Sequence, residues 1–86
     1  MGIEGLRFVI TGSATGIGAA TARLAAEKGA RVMVSDLNDE QGQAVTDEIN
    51  ASGGSAAYQH CDVTDPDAVE ALMAATAGAF GGIDVL

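Results

Sequence analysis

The sequence predicts an α/β fold built on a doubly wound parallel sheet, of which this chain holds a part. Short apolar runs alternate with longer stretches of helical periodicity in the order β-α-β-α-β-α-β. Such alternation is typical of parallel sheets whose crossover helices cover both faces. In a sheet of this kind the expected spatial order of the strands is 3-2-1-4. The 86 residues leave room for one domain, and for about half of a complete doubly wound sheet.

The first strand and helix have the clearest signals. Arg7–Thr11 is a short run rich in β-branched and aromatic residues, which favours a buried strand. A glycine-rich turn follows, then a helix that Gly29 is expected to end. The residues that recur at helical spacing are Ile17, Ala20, Thr21, Leu24 and Ala25. A second strand is predicted over Arg31–Asp36.

The second helix and third strand follow the same plan. Asn38 is predicted to cap the helix, with Gln41 as its capping-box partner. The segment Ser52–Ser55 ends that helix, and Ala56–Cys61 is expected to form the third strand.

The third helix begins at a strong start signal. Thr64 is the predicted cap, with Pro66 in the first turn and the acid Asp67 three residues after the cap. Its predicted apolar stripe consists of Val69, Leu72, Met73, Ala77 and Phe80, with Thr76 as the polar member. Two glycines stop the helix, and Ile83–Leu86 is expected to open a fourth strand.

The charge balance narrows the classes of partner. Twelve acidic and four basic residues give a formal charge of −8, which repels nucleic acids and anionic membranes. No apolar run approaches the roughly 18 to 20 residues of a membrane span, and no basic leader precedes the first strand. The single cysteine, Cys61, fits a reducing compartment, so we expect a cytoplasmic protein.

The turn between the first strand and the first helix carries the strongest functional signal. We expect Gly12 to allow a sharp turn with positive φ, Gly16 to let the backbone approach a ligand, and Gly18 to let the helix pack closely. Free N–H groups at the helix start then face an anion. The loop therefore predicts a pyrophosphate site for a dinucleotide on a Rossmann-type fold. A purely structural glycine turn is the alternative interpretation.

The end of the second strand indicates which dinucleotide binds. Asp36 lies 18 residues after Gly18, where a Rossmann fold places an acid that holds the ribose hydroxyls. A carboxylate there would repel the 2′-phosphate of NADP. The next residue, Leu37, supplies no cation that could hold this phosphate. The prediction is therefore NAD rather than NADP.

Three segments resemble the short-chain dehydrogenase/reductase family. They are the Thr11–Gly18 turn with its Thr-Gly-x-x-x-Gly-x-Gly spacing, Cys61-Asp62-Val63, and Gly82-Ile83-Asp84-Val85-Leu86. The resemblance covers essentially the whole chain and implies that Asp62 contacts the adenine amino group while Val63 lies alongside the ring. The expected cofactor-binding residues are Gly12, Ser13, Gly16, Ile17, Gly18, Asp36, Leu37, Asp62 and Val63.

The same resemblance implies hydride transfer between NAD(H) and an alcohol or carbonyl substrate. The family's catalytic Asn, Ser, Tyr and Lys have no match in residues 1–86, which we expect to be the inactive N-terminal part of one NAD(P)-binding domain. A non-catalytic nucleotide-binding module and a purely structural fragment stay open. We also expect a homo-oligomer that associates through the edge of the fourth strand.

Two other groups are not expected to take part in chemistry. His60 and Cys61 are adjacent on a strand and point to opposite faces, so no metal site is predicted. Tyr58, the only tyrosine, is interpreted as a packing residue of the third strand.

Overall fold

The computed structural model describes residues 2–85 and consists of alternating strands and helices on a parallel sheet. The elements are β1 (Arg7–Thr11), α1 (Gly16–Glu27), β2 (Arg31–Asp36), α2 (Asp39–Ala51), β3 (Ser55–His60) and α3 (Pro66–Phe80). All pairings are parallel, and β2 lies between β1 and β3. This arrangement confirms the predicted α/β class, and β3 begins and ends one residue earlier than the sequence pattern indicated.

Within residues 2–85 the predicted fourth strand is reduced to a single isolated β-bridge. Val85 forms an isolated parallel bridge with Phe8 of β1, and the Val9 amide donates to the Val85 carbonyl at 2.8 Å. Because β2 pairs with the other edge of β1, this bridge lies on the edge that β2 leaves free. Leu86 is outside the described residues, so the full order 3-2-1-4 stays a prediction.

The two faces of the sheet bury separate clusters. Alternation along β2 directs Val32 and Val34 towards α1 and α2, and Met33 towards α3. On the α3 side, Met33 packs with Val9 and Leu72. The sheet is therefore covered on both sides, as a doubly wound fold requires.

Helix α1 packs through alanines rather than through its larger apolar residues. Its buried residues are Ala19, Ala22, Ala25 and Ala26. Ile17 is 87% exposed and Leu24 is 55% exposed, so the spacing that predicted the helix does not mark its buried face. The buried face of α1 consists of small side chains because they let the helix approach the sheet closely.

The caps of α2 and α3 differ in how well the sequence predicted them. The Gln41 amide donates to the Asn38 side chain at 3.0 Å, which confirms the cap of α2. The cap of α3 is Asp65, whose carboxylate accepts from the Asp67 amide at 3.0 Å. The prediction of Thr64 as this cap was wrong by one residue, because the helix begins at Pro66.

On α3, Thr76 is buried and Ala77 is exposed, which corrects one position of the predicted stripe. The Thr76 hydroxyl donates to the Leu72 carbonyl at 2.8 Å, so its polar group is satisfied inside the core. No helix within residues 2–85 is long and apolar enough to cross a membrane.

Candidate functional site

The carboxyl ends of the three parallel strands meet at one edge of the sheet. Thr11, Ser35 and Gln59 lie in register across β1, β2 and β3 near this edge. The three segments that leave the sheet here are residues 12–18, 36–38 and 61–65. Every residue predicted to bind a cofactor lies in one of these segments, so the fold brings the candidate site together.

The glycine turn after β1 has the geometry that its spacing predicts. Gly12 and Gly16 have φ of +64° and +60°, a region that side chains with a Cβ rarely adopt. A Cβ at Gly16 would project into open space. A Cβ at Gly18 would overlap the carbonyl oxygen of Gly12, so only glycine lets α1 begin this close to the turn.

The N-terminus of α1 is left without a side-chain cap. Thr15 occupies the capping position in an extended conformation, but within residues 2–85 its side chain accepts no hydrogen bond from the helix. The first turn of α1 also contains no acid. The free N–H groups of the first turn and the positive end of the helix dipole therefore face the space in front of Gly16. This arrangement suits an anion.

Asp36 ties the end of β2 to this turn. Its Oδ2 accepts from the Ala14 amide at 3.0 Å, and its Oδ1 accepts from the Leu37 and Asn38 amides at 2.7 and 3.2 Å. Partial burial raises the pKa of Asp36, but the amides of Ala14, Asn38 and Leu37 favour the charged form and bring the net pKa below its ordinary value. The carboxylate is therefore ionised at neutral pH. Ala14 was not among the predicted residues, because its part is played by a backbone group.

Ser13 supports the turn from beneath. It is fully buried, its hydroxyl donates to the Ile10 carbonyl at 2.6 Å, and it accepts from the Ser35 amide at 2.9 Å. The Ser13 amide also donates to the Ser35 carbonyl at 3.1 Å. The Ser13 amide and hydroxyl oxygen thus hold the turn against β2, while the hydroxyl proton is donated back to β1.

The segment after β3 approaches the same edge. The Cys61 amide donates to the Asp36 carbonyl at 3.2 Å and joins the ends of β2 and β3. Asp62 accepts from the Thr64 hydroxyl at 2.6 Å and the Thr64 amide at 2.9 Å through Oδ1. These two bonds lower the pKa of Asp62 and fix its carboxylate in the loop.

Three exposed apolar side chains lie in the segments that leave this edge of the sheet. Ile17 is 87% exposed, Leu37 60% and Val63 59%, and each follows a different strand of the sheet. Leaving large apolar side chains in water forgoes the gain of burying them, and a group of them is typical of a binding surface. All three were predicted to contact the cofactor.

A polar cluster beside the edge was missed by sequence reasoning. The Tyr58 hydroxyl lies 2.9 Å from the Asp36 carbonyl oxygen and 2.6 Å from Oδ1 of Asp39. The residue does pack against the core, as predicted, but it also reaches the end of β2. The sequence signal for this contact was Gly42 inside α2, because a glycine in a helix interior requires a packing reason.

Within residues 2–85 no group of three or more metal-ligating side chains converges.

Comparison with known proteins identifies the family. The profile of the short chain dehydrogenase family matches residues 7–86. The 2,5-dichloro-2,5-cyclohexadiene-1,4-diol dehydrogenase of Sphingobium indicum is 48% identical over 82 residues, which are 95% of this chain and 32% of that protein. The tropinone reductase-like 2 of Erythroxylum coca is 43% identical over 84 residues, which are 98% of this chain and 30% of that protein. The chain thus spans about a third of the length of these relatives.

Solved structures agree with the sequence comparison. A hydroxysteroid dehydrogenase from Escherichia coli superposes with a TM-score of 0.95 at 37% identity, covering 98% of this chain and 36% of that one. A short-chain type dehydrogenase/reductase from Mycobacterium marinum gives a TM-score of 0.90 at 44% identity, covering 95% of this chain and 33% of that one. The match extends from Arg7 to the last residue, so this chain belongs to the short-chain dehydrogenase/reductase family.

Proposed function

We propose that this chain binds NAD at the carboxyl edge of its sheet, as the N-terminal part of a single nucleotide-binding domain in an oxidoreductase. The observation that carries the proposal is the uncapped N-terminus of α1, which opens beside the positive-φ residues Gly12 and Gly16. An open helix end next to a glycine turn suits a pyrophosphate, because N–H groups and the helix dipole both favour negative charge there.

The adenosine ribose would bind at Asp36. An ionised carboxylate accepts hydrogen bonds from ribose hydroxyls and repels a 2′-phosphate, which favours NAD over NADP. The positions of the four basic residues support this choice. Arg7 and Arg31 begin β1 and β2 and Lys28 follows α1, so all three lie where the amino ends of the strands meet, opposite the candidate site. Arg23 forms an ion pair with Glu48 of α2 at 3.1 Å.

The adenine would lie against the segment after β3. Val63 and Leu37 offer exposed apolar surface for the flat ring, and the Asp62 carboxylate is an acceptor suited to the adenine amino group. Ile17, at the start of α1, would cover the dinucleotide near the pyrophosphate. Its exposed side chain would bury apolar area on binding, which stabilises the complex.

Bound NAD would supply hydride acceptance at its nicotinamide, and the full protein would use it on an alcohol or carbonyl substrate. This part of the proposal rests on the relatives, which are named as dehydrogenases and reductases. The catalytic groups that the family resemblance implies have no match in residues 1–86, so we expect these residues alone to bind and not to turn over. We also propose that the protein is cytoplasmic. Two copies of it would associate through the edge of the sheet beside Val85.

The test is a calorimetric titration of the full protein with NAD and with NADP. We expect NAD to bind at least tenfold more tightly, because the 2′-phosphate would meet Asp36. Tighter binding of NADP would overturn the cofactor assignment, and no binding of either nucleotide would overturn the proposal as a whole. Activity with a panel of alcohols then identifies the substrate.

A further inference from the structure

We propose that Tyr58 is a positioning residue, which fixes the Asp36 end of β2 for the adenosine ribose. The inference rests on the proposed function, because Asp36 is the residue proposed to hold that ribose. Tyr58 would touch neither the cofactor nor a substrate. It would act through the backbone of Asp36, whose carbonyl oxygen lies 2.9 Å from its hydroxyl.

The Asp36 residue is held from two directions. On the side-chain side, three backbone amides bind its carboxylate, the nearest at 2.7 Å from Leu37. On the backbone side, its carbonyl oxygen accepts from the Cys61 amide at 3.2 Å and from the Tyr58 hydroxyl. The Cys61 bond is long, so the Tyr58 hydroxyl is the closer of the two donors that hold this carbonyl.

Helix α2 has a glycine, Gly42, at the position where the Tyr58 ring packs against it. Gly42 is a buried residue in the helix, and a Cβ built there would overlap the ring of Tyr58. Glycine in a helix interior weakens the helix relative to alanine. That cost has a structural reason here, since the missing side chain leaves room for the ring beside α2, where its hydroxyl reaches the end of β2.

The proton balance explains why two further side chains belong to the arrangement. The hydroxyl of Tyr58 has one proton and two acceptors within reach, the Asp36 carbonyl and Oδ1 of Asp39 at 2.6 Å. The same Oδ1 lies 2.7 Å from Nδ1 of His60. A carboxylate oxygen only accepts, so Nδ1 carries a proton in this geometry. His60 thereby supplies Asp39 with a second donor, while the single Tyr58 proton is shared between the Asp39 carboxylate and the Asp36 carbonyl.

The protonation states of the cluster fit this role. Burial, followed by the neighbouring carboxylate of Asp39, raises the pKa of Tyr58, so its hydroxyl stays a donor at neutral pH. Hydrogen bonds from Tyr58 and His60 lower the pKa of Asp39, which stays an acceptor. The charged or titratable groups that act on this cluster include Asp36 on β2, Asp39 on α2, and His60 and Asp62 on and after β3.

The first experiment removes only the hydroxyl. Tyr58→Phe keeps the ring in its seat, and Ser52→Ala is the matched control, because it also loses one hydroxyl that donates to a carbonyl, at the other end of α2. Binding of ADP-ribose to the full protein is measured by calorimetry. We expect Tyr58→Phe to weaken binding about fivefold, the effect of one ordinary hydrogen bond, and Ser52→Ala to leave it unchanged.

The second experiment separates positioning from general destabilisation. In an Asp36→Ala background, Tyr58→Phe should cause no further loss of ADP-ribose affinity, because the group that it positions is gone. A loss of similar size in both backgrounds would overturn the inference and leave Tyr58 with a purely structural role. Equal affinity of Tyr58→Phe and the unsubstituted protein would overturn it as well.

A measurement without ligand keeps this inference distinct from the proposed function. Hydrogen exchange of the Ala14 amide, which donates to Asp36, should be severalfold faster in Tyr58→Phe, while the Ala26 amide in α1 exchanges as before. Unchanged exchange at Ala14 overturns the role of Tyr58 whether or not a nucleotide binds. Failure of ADP-ribose to bind the unsubstituted protein would instead overturn the proposed function.

Discussion

Arg7 and Asp84, 77 positions apart, form a two-point ion pair that fastens the segment after α3 to the start of β1. Nε of Arg7 lies 2.8 Å from Oδ2 of Asp84, and its Nη2 lies 3.0 Å from Oδ1. The Arg7 amide adds a third bond to Oδ2 at 2.9 Å. The planar guanidinium matches the carboxylate in the geometry that gives such pairs their strength.

This pair predicts a pH dependence that one variant can isolate. The side-chain and backbone bonds from Arg7 lower the pKa of Asp84 from 3.8 to about 2. A carboxyl whose pKa is lowered on folding stabilises the fold above its unfolded pKa, and loses that effect as the pH falls towards the folded pKa. Asp84→Asn should therefore lower the urea midpoint at pH 7, and the difference from the unsubstituted protein should shrink between about pH 4 and pH 2.

Glu70→Gln is the control for this measurement, because Glu70 is an exposed acid of α3. Its urea midpoint should follow that of the unsubstituted protein from pH 7 to pH 3. A gap between Asp84→Asn and the unsubstituted protein that stays constant over this range would contradict the assigned role of the ion pair.

Gly18 should tolerate no side chain. Gly18→Ala places a Cβ on the carbonyl oxygen of Gly12, and we expect a loss of about 1 to 3 kcal/mol in the free energy of unfolding. Gly78→Ala, in α3, has open space around its Cβ and should be neutral or stabilise the fold by up to about 1 kcal/mol. Urea denaturation of the two variants measures both values, and equal effects would show that crowding at Gly12 is not the cause.

Alanine variants of Gly16 and Gly5 separate the stability cost of backbone strain from the loss of NAD affinity. Both have positive φ, +60° and +77°, and a Cβ at either projects into open space. Alanine should cost each position about 1 to 2 kcal/mol of stability for the left-handed conformation. Only Gly16→Ala should also weaken NAD binding, by tenfold or more in calorimetry. An equal loss of NAD affinity in Gly5→Ala, before β1, would argue against a pyrophosphate site at Gly16.

Asp36 should control the choice of cofactor. Asp36→Ala removes a charged acceptor of the ribose hydroxyls, worth roughly 10- to 100-fold in NAD affinity, and also removes the repulsion of a 2′-phosphate. The ratio of NAD to NADP affinity should therefore fall. Asp47→Ala removes the same charge from the middle of α2 and should change neither affinity. A ratio that Asp36→Ala leaves unaltered would point to another determinant of specificity.

Features set by neighbouring residues were predictable from the sequence, and features set by packing were not. The strand bounds of β1 and β2, the Asn38 cap and the positive φ of Gly12 depend on short stretches of chain, and the structure confirms them. The buried face of α1 depends on how closely the helix approaches the sheet, which hydrophobic spacing does not encode. The contact between Tyr58 and Asp36 joins two strands, so it needed the register of the sheet.

The alanine face of α1 makes the glycine turn sensitive to distant substitutions. Ala22 is fully buried two turns below the start of the helix, and its methyl group spaces α1 from the sheet. A larger side chain there would push α1 away from the sheet and tilt the helix axis. The N-terminus of α1 would then move away from Asp36. Mutational scans for cofactor affinity should therefore detect Ala22, although it lies inside the protein and faces no ligand.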